Sequence, residues 1–226
     1  MQPEGNIIVE IYGEGKTDVG PLVRDMKPEL PRRGVVPIIV HALCGRPEKM
    51  LVKHYGVIFL QRKDTGHGLW QKVRFARRQA FYNRSNGAVF VVDSEGDLMA
   101  KREALSKGRD EARTSLPMAV GVAHPCIESW LLTDPDAIKR ALNLNITPET
   151  PRNPEGLPAP KKNRNHNPKT VLRVAAGIVH QELSADQKDQ IASAMYDMDV
   201  IRKGCPLGFA PFADEVESHI RPLFSK

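Results

Sequence analysis

The apolar run from Ala88 to Val92 constrains the fold more than any other segment of the chain. The turn-forming pair Asn86-Gly87 precedes it, and Asp93 follows its last residue. Because consecutive side chains of a strand point to opposite faces, a strand that is apolar at every position must be buried on both faces. The run therefore predicts a strand in the middle of a parallel sheet that is covered on both sides.

Strands and helices alternate on either side of this run. Further strands are predicted at Asn6 to Tyr12, at Val35 to Val40 and at Met118 to Ala123, with Pro37 indicating an edge position or a strand start. Helices are predicted after Thr17 or Asp18, at Pro47 to Tyr55, from Leu69 to Ala80, from Asp97 through Leu105, and from Ile127. This alternation predicts an α/β fold with a mostly parallel sheet of about four strands flanked by helices.

The pattern changes after Asp134. The segment from Pro148 to Pro168 is rich in Pro, Asn and Lys and has no periodicity, so it is predicted to be a long loop. Helices are predicted at Thr170 to His180, Asp186 to Met198 and Phe212 to Phe224. We therefore expect a helical C-terminal part that packs on the α/β core.

Composition excludes several classes of protein. The 226 residues are 41% hydrophobic and 27% charged, which is typical of a globular chain and excludes disorder, collagen and coiled coil for the whole molecule. No apolar run approaches the ~18 residues of a membrane span, and the first residues lack the pattern of a signal peptide. The 3 widely spaced cysteines favour reduced thiols in the cytoplasm over a disulfide framework or a zinc site.

Charge is distributed unevenly along the chain, which has a net charge of +6. Two stretches, Lys72 to Arg84 and Gly156 to Gln181, contain several Lys and Arg residues and no acids, whereas acids concentrate at Glu10 to Asp18 and at Asp93 to Asp97. Local acid beside local base is what a metal-dependent enzyme acting on a polyanion requires. The alternative interpretation is two solvated basic faces.

Three groups of acids follow predicted strands. Glu14 and Asp18 follow the first strand, Glu128 follows the fourth, and the central strand is followed by Asp93, Glu95 and Asp97. The carboxyl ends of parallel strands lie at one edge of an open sheet, so these carboxylates are expected to converge. Converging carboxylates repel one another unless a cation neutralises them, and oxygen ligands favour Mg²⁺ or Mn²⁺. The alternative is that they are loop acids that cap helices.

Two of these acidic segments resemble the metal-binding motifs of TOPRIM domains. That family carries a glutamate after its first strand, which is Glu14 here, and an Asp-x-Asp motif after a central strand, which corresponds to Asp93-Ser94-Glu95. The glutamate at position 95 departs from the family pattern, and Asp97 is an alternative for the second acid. The resemblance implies a divalent-metal site and makes Glu14 with Asp93 its central pair.

The segment His124-Pro125-Cys126-Ile127-Glu128-Ser129-Trp130-Leu131-Leu132 adds a more specific resemblance. It is similar to the Pro-Cys-x-Glu-x-Trp-Leu-Leu segment of small bacterial TOPRIM-like proteins of the DUF4276 type, which are related to the nuclease domains of OLD-family proteins and to RloB-like proteins. This resemblance implies a TOPRIM-like core at residues 1–135 and a helical extension at 136–226. It also implies a role in defence against phage beside an ABC-type or AAA-type ATPase.

The implied reaction is hydrolysis of a phosphodiester, with DNA as the preferred substrate. One or two Mg²⁺ or Mn²⁺ ions, about 3.5–4 Å apart when there are two, would be held by Glu14, Asp93 and Glu95, with Asp18, Asp97 and Glu128 completing a second site or orienting waters. A cation must face the charge that develops in the transition state. The candidates are Lys161, Lys162 and Lys169 in the acid-free loop, and Lys16.

Two other functions remain open at this point. The first is a non-catalytic regulatory or nucleic-acid-binding subunit, in which the basic helix from Lys72 to Arg84 docks DNA or a partner ATPase. The second is a primase-like nucleotidyl transfer on the same fold, which is disfavoured because the chain has no zinc-binding module. The oligomeric state is not determined by any of these patterns.

Overall fold

Four parallel strands form the centre of the protein in a computed structural model that describes residues 6–13, 34–56, 68–178 and 181–225. The strands are β1 (Ile7–Gly13), β2 (Met50–Gly56), β3 (Gly87–Asp93) and β4 (Met118–Ala123), in the spatial order β2-β1-β3-β4. In β3, Val89 pairs with Ile11 on one side and with Ala119 on the other. The predicted α/β class is confirmed, and the run from Ala88 to Val92 is an interior strand of the sheet.

Helices cover both faces of this sheet. They are α1 (Val35–Leu43), α2 (Leu69–Tyr82), α3 (Leu98–Asp110), α4 (Glu128–Leu131), α5 (Pro135–Leu142), α6 (Pro168–Ala175), α7 (Ala185–Ala194), α8 (Met198–Gly204) and α9 (Phe209–His219), with 3₁₀ turns at Pro154–Gly156 and Arg221–Phe224. The predicted helices at Leu69 to Ala80 and through Leu105 are confirmed. Within the described ranges, no helix is long and apolar enough to cross a membrane.

Two predicted elements have the wrong type, because one predicted strand is a helix and one predicted helix is a strand. Residues Val35 to Val40 form the first two turns of α1 instead of a strand. An unbroken apolar run carries no period that separates a buried helix from a buried strand. Pro37 is compatible with the helix because it lies in the first turn, where its missing N–H has no partner to lose.

The second error is the helix predicted from Pro47 to Tyr55. Residues Met50–Gly56 form β2, which lies at one edge of the sheet and pairs in register with β1 from Ile7 to Gly13. An edge strand need not be apolar on both faces, and Leu51 is 46% exposed. This segment is a strand because it pairs with β1, and a local sequence pattern carries no information about that pairing.

The sheet separates two hydrophobic cores. Val89 and Val91 face a core shared with α1 and the helices after α4, whereas Phe90 and Val92 face a smaller core closed by α2 and α3. Among the helices after residue 135, α9 packs directly on β4, whereas α7 packs on α5 and α1. A Cβ at Gly121 of β4 would overlap the ring of Phe212, so glycine permits the close approach of α9.

The C-terminal helices differ in their ends from the predictions. The helix predicted from Thr170 begins at Pro168 and ends at Ala175, and the one predicted at Asp186 to Met198 ends at Ala194, with α8 beginning at Met198. The predicted loop from Pro148 to Pro168 is irregular apart from its 3₁₀ turn. The division into residues 1–135 and 136–226 stays a prediction.

Candidate functional site

The carboxyl ends of β1, β3 and β4 lie at one edge of the sheet. Gly13, the last residue of β1, pairs with Val91, and Asp93, the last residue of β3, pairs with Ala123 of β4. Open α/β sheets bind their ligands at this edge. Glu14 is the next residue of the sequence after Gly13. It lies outside the described residues, as do Asp18 and Lys16.

The turn after β3 is fixed to the turn after β4 by hydrogen bonds. The Ile127 N–H donates to Oδ1 of Asp93 at 3.0 Å, and the Glu95 N–H donates to the carbonyl oxygen of Pro125 at 3.0 Å. The carboxylate of Asp93 is therefore oriented by the segment that leads into α4. This contact joins the two motifs that carried the family resemblance.

A serine–histidine contact lies beneath this turn. Ser94 is fully buried, and its Oγ lies 2.7 Å from Nδ1 of His124. Burial, and next the positive charge of Arg102, lower the pKa of His124, so the imidazole is neutral at neutral pH. A neutral imidazole nitrogen can accept a hydrogen bond from the hydroxyl group of Ser94, and this contact links the turn after β3 to the turn after β4.

The basic loop after residue 148 lies against the acidic turn. Nζ of Lys161 is 2.7 Å from the carboxylate of Glu95, and a Cβ at Gly96 would lie 3.3 Å from Nζ of Lys162. The hydrogen bond from Lys161 lowers the pKa of Glu95 against the opposing effect of burial, and Lys101 and Lys169 lower it further. The loop thus places its lysines at the edge where the sequence predicts a metal site.

Glu128 occupies a different environment from the other acids. It is 1% exposed, and its Oε1 accepts a hydrogen bond from Nζ of Lys188 at 2.6 Å. Burial alone would raise the pKa of Glu128, but Lys188 and then Lys169 outweigh it and hold the pKa below its ordinary value. The predicted metal role of Glu128 gains no support from this geometry, because an ammonium group already neutralises the carboxylate.

Cys126 is the residue whose thiol is affected by the carboxylates of both Glu128 and Asp93. Burial raises the pKa of its thiol far above the ordinary value, and the negative charges of Glu128 and Asp93 raise it further. Both carboxylates therefore lie near this one thiol. Because the thiolate is disfavoured, Cys126 is an inert packing residue and not a nucleophile.

The predicted site residues are brought together only in part. Lys161 contacts Glu95, and the charge of Lys169 lowers the pKa of the same carboxylate. Asp97, in contrast, is exposed at the N-terminal end of α3 and makes no capping hydrogen bond with its side chain. Among the residues that the structure describes, no three His, Cys, Asp or Glu side chains gather closely enough to hold a metal ion. The predicted pair of Glu14 and Asp93 stays a prediction.

The basic stretch of α2 has a structural role. Arg77 donates to the carbonyl oxygens of Leu116 at 2.9 Å and Arg109 at 2.6 Å, and Arg78 donates to that of Ala112 at 3.0 Å. These carbonyls lie at the end of α3 and in the segment after it, where cations are favoured by the helix dipole. Two arginines of the predicted docking helix are thus used to hold α2 against α3.

Sequence reasoning missed Glu155, which anchors the basic loop. Glu155 is 3% exposed, and its carboxylate accepts hydrogen bonds from the N–H groups of Leu207 at 2.7 Å and Gly208 at 2.5 Å, just before α9. Burial raises its pKa, and these backbone donors oppose the rise. The contact joins segments about fifty residues apart, so no local signal predicts it. Lys188 was missed for the same reason.

The chain matches no family model, and no curated protein and no solved structure matches it significantly. The fold and the site define it as an α/β protein with a parallel sheet whose acidic edge is faced by lysines. The TOPRIM-like resemblance rests on the sequence motifs.

Proposed function

We propose that the protein is a Mg²⁺- or Mn²⁺-dependent phosphodiesterase of the TOPRIM type that cleaves DNA at the carboxyl edge of its sheet. One observation carries the proposal. The part of the basic loop after Glu155, which contains no acids, brings Lys161 and Lys162 against the turn that follows the central strand and bears Asp93, Glu95 and Asp97. Carboxylates and lysines at one edge combine the groups that bind a hard cation with those that bind a phosphate.

The oxygen donors at this edge are of the type that a hard cation prefers. Asp93 would hold it, with Glu95 or Asp97 from the same turn and Glu14 from the segment after β1. When bound, such an ion polarises the phosphodiester and lowers the pKa of a coordinated water. The hydrogen bond from Ile127 fixes the carboxylate of Asp93 before any ligand arrives, so little reorganisation is needed.

The lysines of the loop stabilise the negative charge of the substrate. Lys161 is 74% exposed in its pair with Glu95, so it can exchange this partner for a phosphate oxygen at low cost. Lys169 lies close enough to lower the pKa of both Glu95 and Glu128. Its charge therefore acts on carboxylates at both places, and it is a second candidate, beside Lys161, to face the reacting phosphate.

The test is cleavage of supercoiled plasmid DNA with Mn²⁺ or Mg²⁺. Asp93→Asn removes the charge and retains an oxygen for the Ile127 hydrogen bond, so the fold is expected to survive while cleavage falls by about 10²-fold or more. Glu14→Gln is expected to behave in the same way. Glu103→Gln changes an exposed acid of α3 and serves as the matched control. Full activity of folded Asp93→Asn protein would overturn the site.

Calorimetric titration with Mn²⁺ separates binding from chemistry. We expect wild-type protein and the Glu103→Gln variant to bind Mn²⁺ alike, and the Asp93→Asn variant to bind about tenfold or more weakly. Equal Mn²⁺ affinity in all three proteins would refute the metal-binding role of Asp93.

A non-catalytic nucleic-acid-binding subunit is the second candidate function. It is favoured by the ion pair of Lys161 with Glu95, which neutralises part of the acidic turn without a cation. Its expected result is DNA binding that falls steeply with salt, because lysines contact phosphates, and no cleavage with either metal. The plasmid assay therefore decides between the two.

The family resemblance extends the proposal to the cell. It implies a cytoplasmic effector of anti-phage defence that works with an ABC-type or AAA-type ATPase. We expect an ATPase to co-purify with tagged protein from its native host. We also expect the wild-type protein to protect against phage and the Asp93→Asn variant to lose this protection. Protection that persists in this variant would remove the nuclease from the defence role.

A further inference from the structure

A polar cleft lies beside Glu128, between α4, α6 and α7. Its volume is about 60 Å³, and its polar lining residues are Glu128, Lys169, Thr170, Arg173, Glu182 and Lys188. One water needs roughly 10–15 Å³ of such volume. The cleft therefore has room for a group of several heavy atoms, the size of a tetrahedral oxyanion.

Two buried polar atoms of the lining residues lack partners. Oε1 of Glu128 is bonded to Lys188, but Oε2 has no hydrogen-bond partner among the described residues, although the weak donor Cys126 lies nearby. Nε of Arg173 is also buried and has no partner within the described part of the chain. Native proteins rarely leave buried polar atoms unpaired. Oε2 of Glu128 is an acceptor and Nε of Arg173 is a donor, so a ligand that carries both a donor and an acceptor would suit the pair.

The charges of the cleft favour an anion. Lys169, Arg173 and Lys188 face Glu128, whose carboxylate Lys188 already neutralises, and the second acid, Glu182, is exposed to solvent. A metal cation at Oε2 would be repelled by the ammonium group on the other oxygen of the same carboxylate. An anion is attracted by Lys169 and Arg173, provided that it carries a proton for Glu128.

We propose that this cleft binds a protonated phosphate group, either inorganic phosphate or a phosphate monoester. Such a group has P–O⁻ acceptors for Arg173 and Lys169 and one P–OH donor for Oε2 of Glu128. The second pKa of a phosphate monoester is about 6, so the protonated form is well populated near neutral pH. Sulfate shares the tetrahedral shape and a phosphodiester shares the single negative charge, but neither carries such a proton, so the buried carboxylate disfavours both.

The monoester has two sources, free phosphate and the phosphorylated end of a nucleic-acid strand. The second source rests on the proposed function, whereas the phosphate chemistry of the cleft does not. Lys169 lines the cleft, and its charge also lowers the pKa of Glu95 in the acidic turn. A strand end held in the cleft would thus lie beside the proposed cleavage site.

The experiment is calorimetric titration of the full chain at about pH 6, in buffer free of metal, phosphate and sulfate. We expect inorganic phosphate to bind at least about tenfold more tightly than sulfate, which corresponds to one charge-assisted hydrogen bond. Arg173→Gln should weaken phosphate binding about tenfold, and Arg152→Gln, which changes an exposed arginine outside the cleft, should not. Equal binding of sulfate and phosphate, or no effect of Arg173→Gln, would overturn the proposal.

Glu128→Gln tests the proton requirement directly. The amide can donate as well as accept, so preference for phosphate over sulfate should disappear in protein shown by circular dichroism to be folded. If this variant does not fold, the sulfate comparison and Arg173→Gln still decide the matter.

Oligonucleotides identify the source of the phosphate. Tighter binding of a 5′-phosphorylated than of a 5′-hydroxyl oligonucleotide, again without metal, assigns the cleft to a strand end. Equal binding of the two, with phosphate binding retained, assigns it to free phosphate. Neither measurement depends on cleavage, so failure of the nuclease proposal leaves this result interpretable.

Discussion

Glu128 illustrates at the scale of one residue how surroundings decide what a side chain can do. Its position after β4 predicts a metal ligand, and the structure instead surrounds it with core residues and one partly buried lysine. The partner, Lys188, lies sixty positions further along the chain. Because a buried carboxylate is tolerated only with such a partner, the pair is central to local stability.

We expect Lys188→Met to lower the free energy of unfolding by about 3–5 kcal/mol at pH 7, because an unpaired charge remains buried. The folded pKa of Glu128 lies below its ordinary value of about 4.3. The contribution of the pair is therefore complete above that value and is lost as pH falls through the folded pKa. In the variant, burial is no longer opposed by Lys188 and raises the pKa of Glu128 above its ordinary value, so the penalty should begin to shrink as pH falls through this raised pKa and should be smallest below the folded pKa of the wild-type pair.

Urea unfolding of both proteins at several pH values measures this difference. Lys203→Met, which changes an exposed lysine of α8, is the control and should differ little from wild type. A loss in Lys188→Met that is the same at every pH would contradict the ion-pair explanation.

At the scale of elements, α2 shows that a basic helix can be a structural part. Its apolar stripe of Val73, Ala76 and Ala80 is predicted by the 3.6-residue period and is fully buried. Two of its arginines, Arg77 and Arg78, are not free for nucleic acid because they donate hydrogen bonds to carbonyl oxygens. Sequence reveals the charge of such a helix but not its hydrogen-bond partners.

Arg77→Met is expected to lower the free energy of unfolding by about 2 kcal/mol, since two carbonyl oxygens lose a charged donor while the side-chain stem is retained. DNA binding by the folded variant should stay close to that of wild type. Urea unfolding and a DNA-binding titration measure the two effects.

Lys72→Met is the matched control. It removes a positive charge from the same helix, but among the described residues the Lys72 side chain, unlike that of Arg77, donates to no carbonyl oxygen. It should leave stability within about 0.5 kcal/mol of wild type. If Arg77→Met were as stable as wild type but bound DNA much more weakly, α2 would be a docking face after all.

At the scale of the whole molecule, the three cysteines report how completely the chain is packed. Cys44, Cys126 and Cys205 are buried and unpaired, and they lie in α1's C-cap, before α4 and after α8. Burial raises the pKa of Cys44 to about 12, and it raises the pKa of Cys126 and Cys205 still further. Burial therefore protects the thiols at all three of these distant places in the fold.

We expect none of these thiols to react with a chromogenic disulfide reagent in the native protein at pH 8, and all three to react in concentrated urea. The slow native rate should equal the rate of global opening. A Ser115→Cys variant, which adds an exposed thiol, should react at once. Immediate reaction of one thiol in wild-type protein would show that part of this packing is open.

The sequence by itself determined the class of fold and the edge of the sheet at which Asp93 and Glu95 lie. Ala88 to Val92 had to be an interior strand because both faces are apolar, and Asp93 had to end it at the carboxyl edge. Only the tertiary structure decided that Val35 to Val40 is helical, that Met50–Gly56 is an edge strand, and that Lys188 pairs with Glu128. These outcomes depend on contacts between residues far apart in sequence. A local pattern shows only how apolar and polar residues are distributed over the faces of one segment.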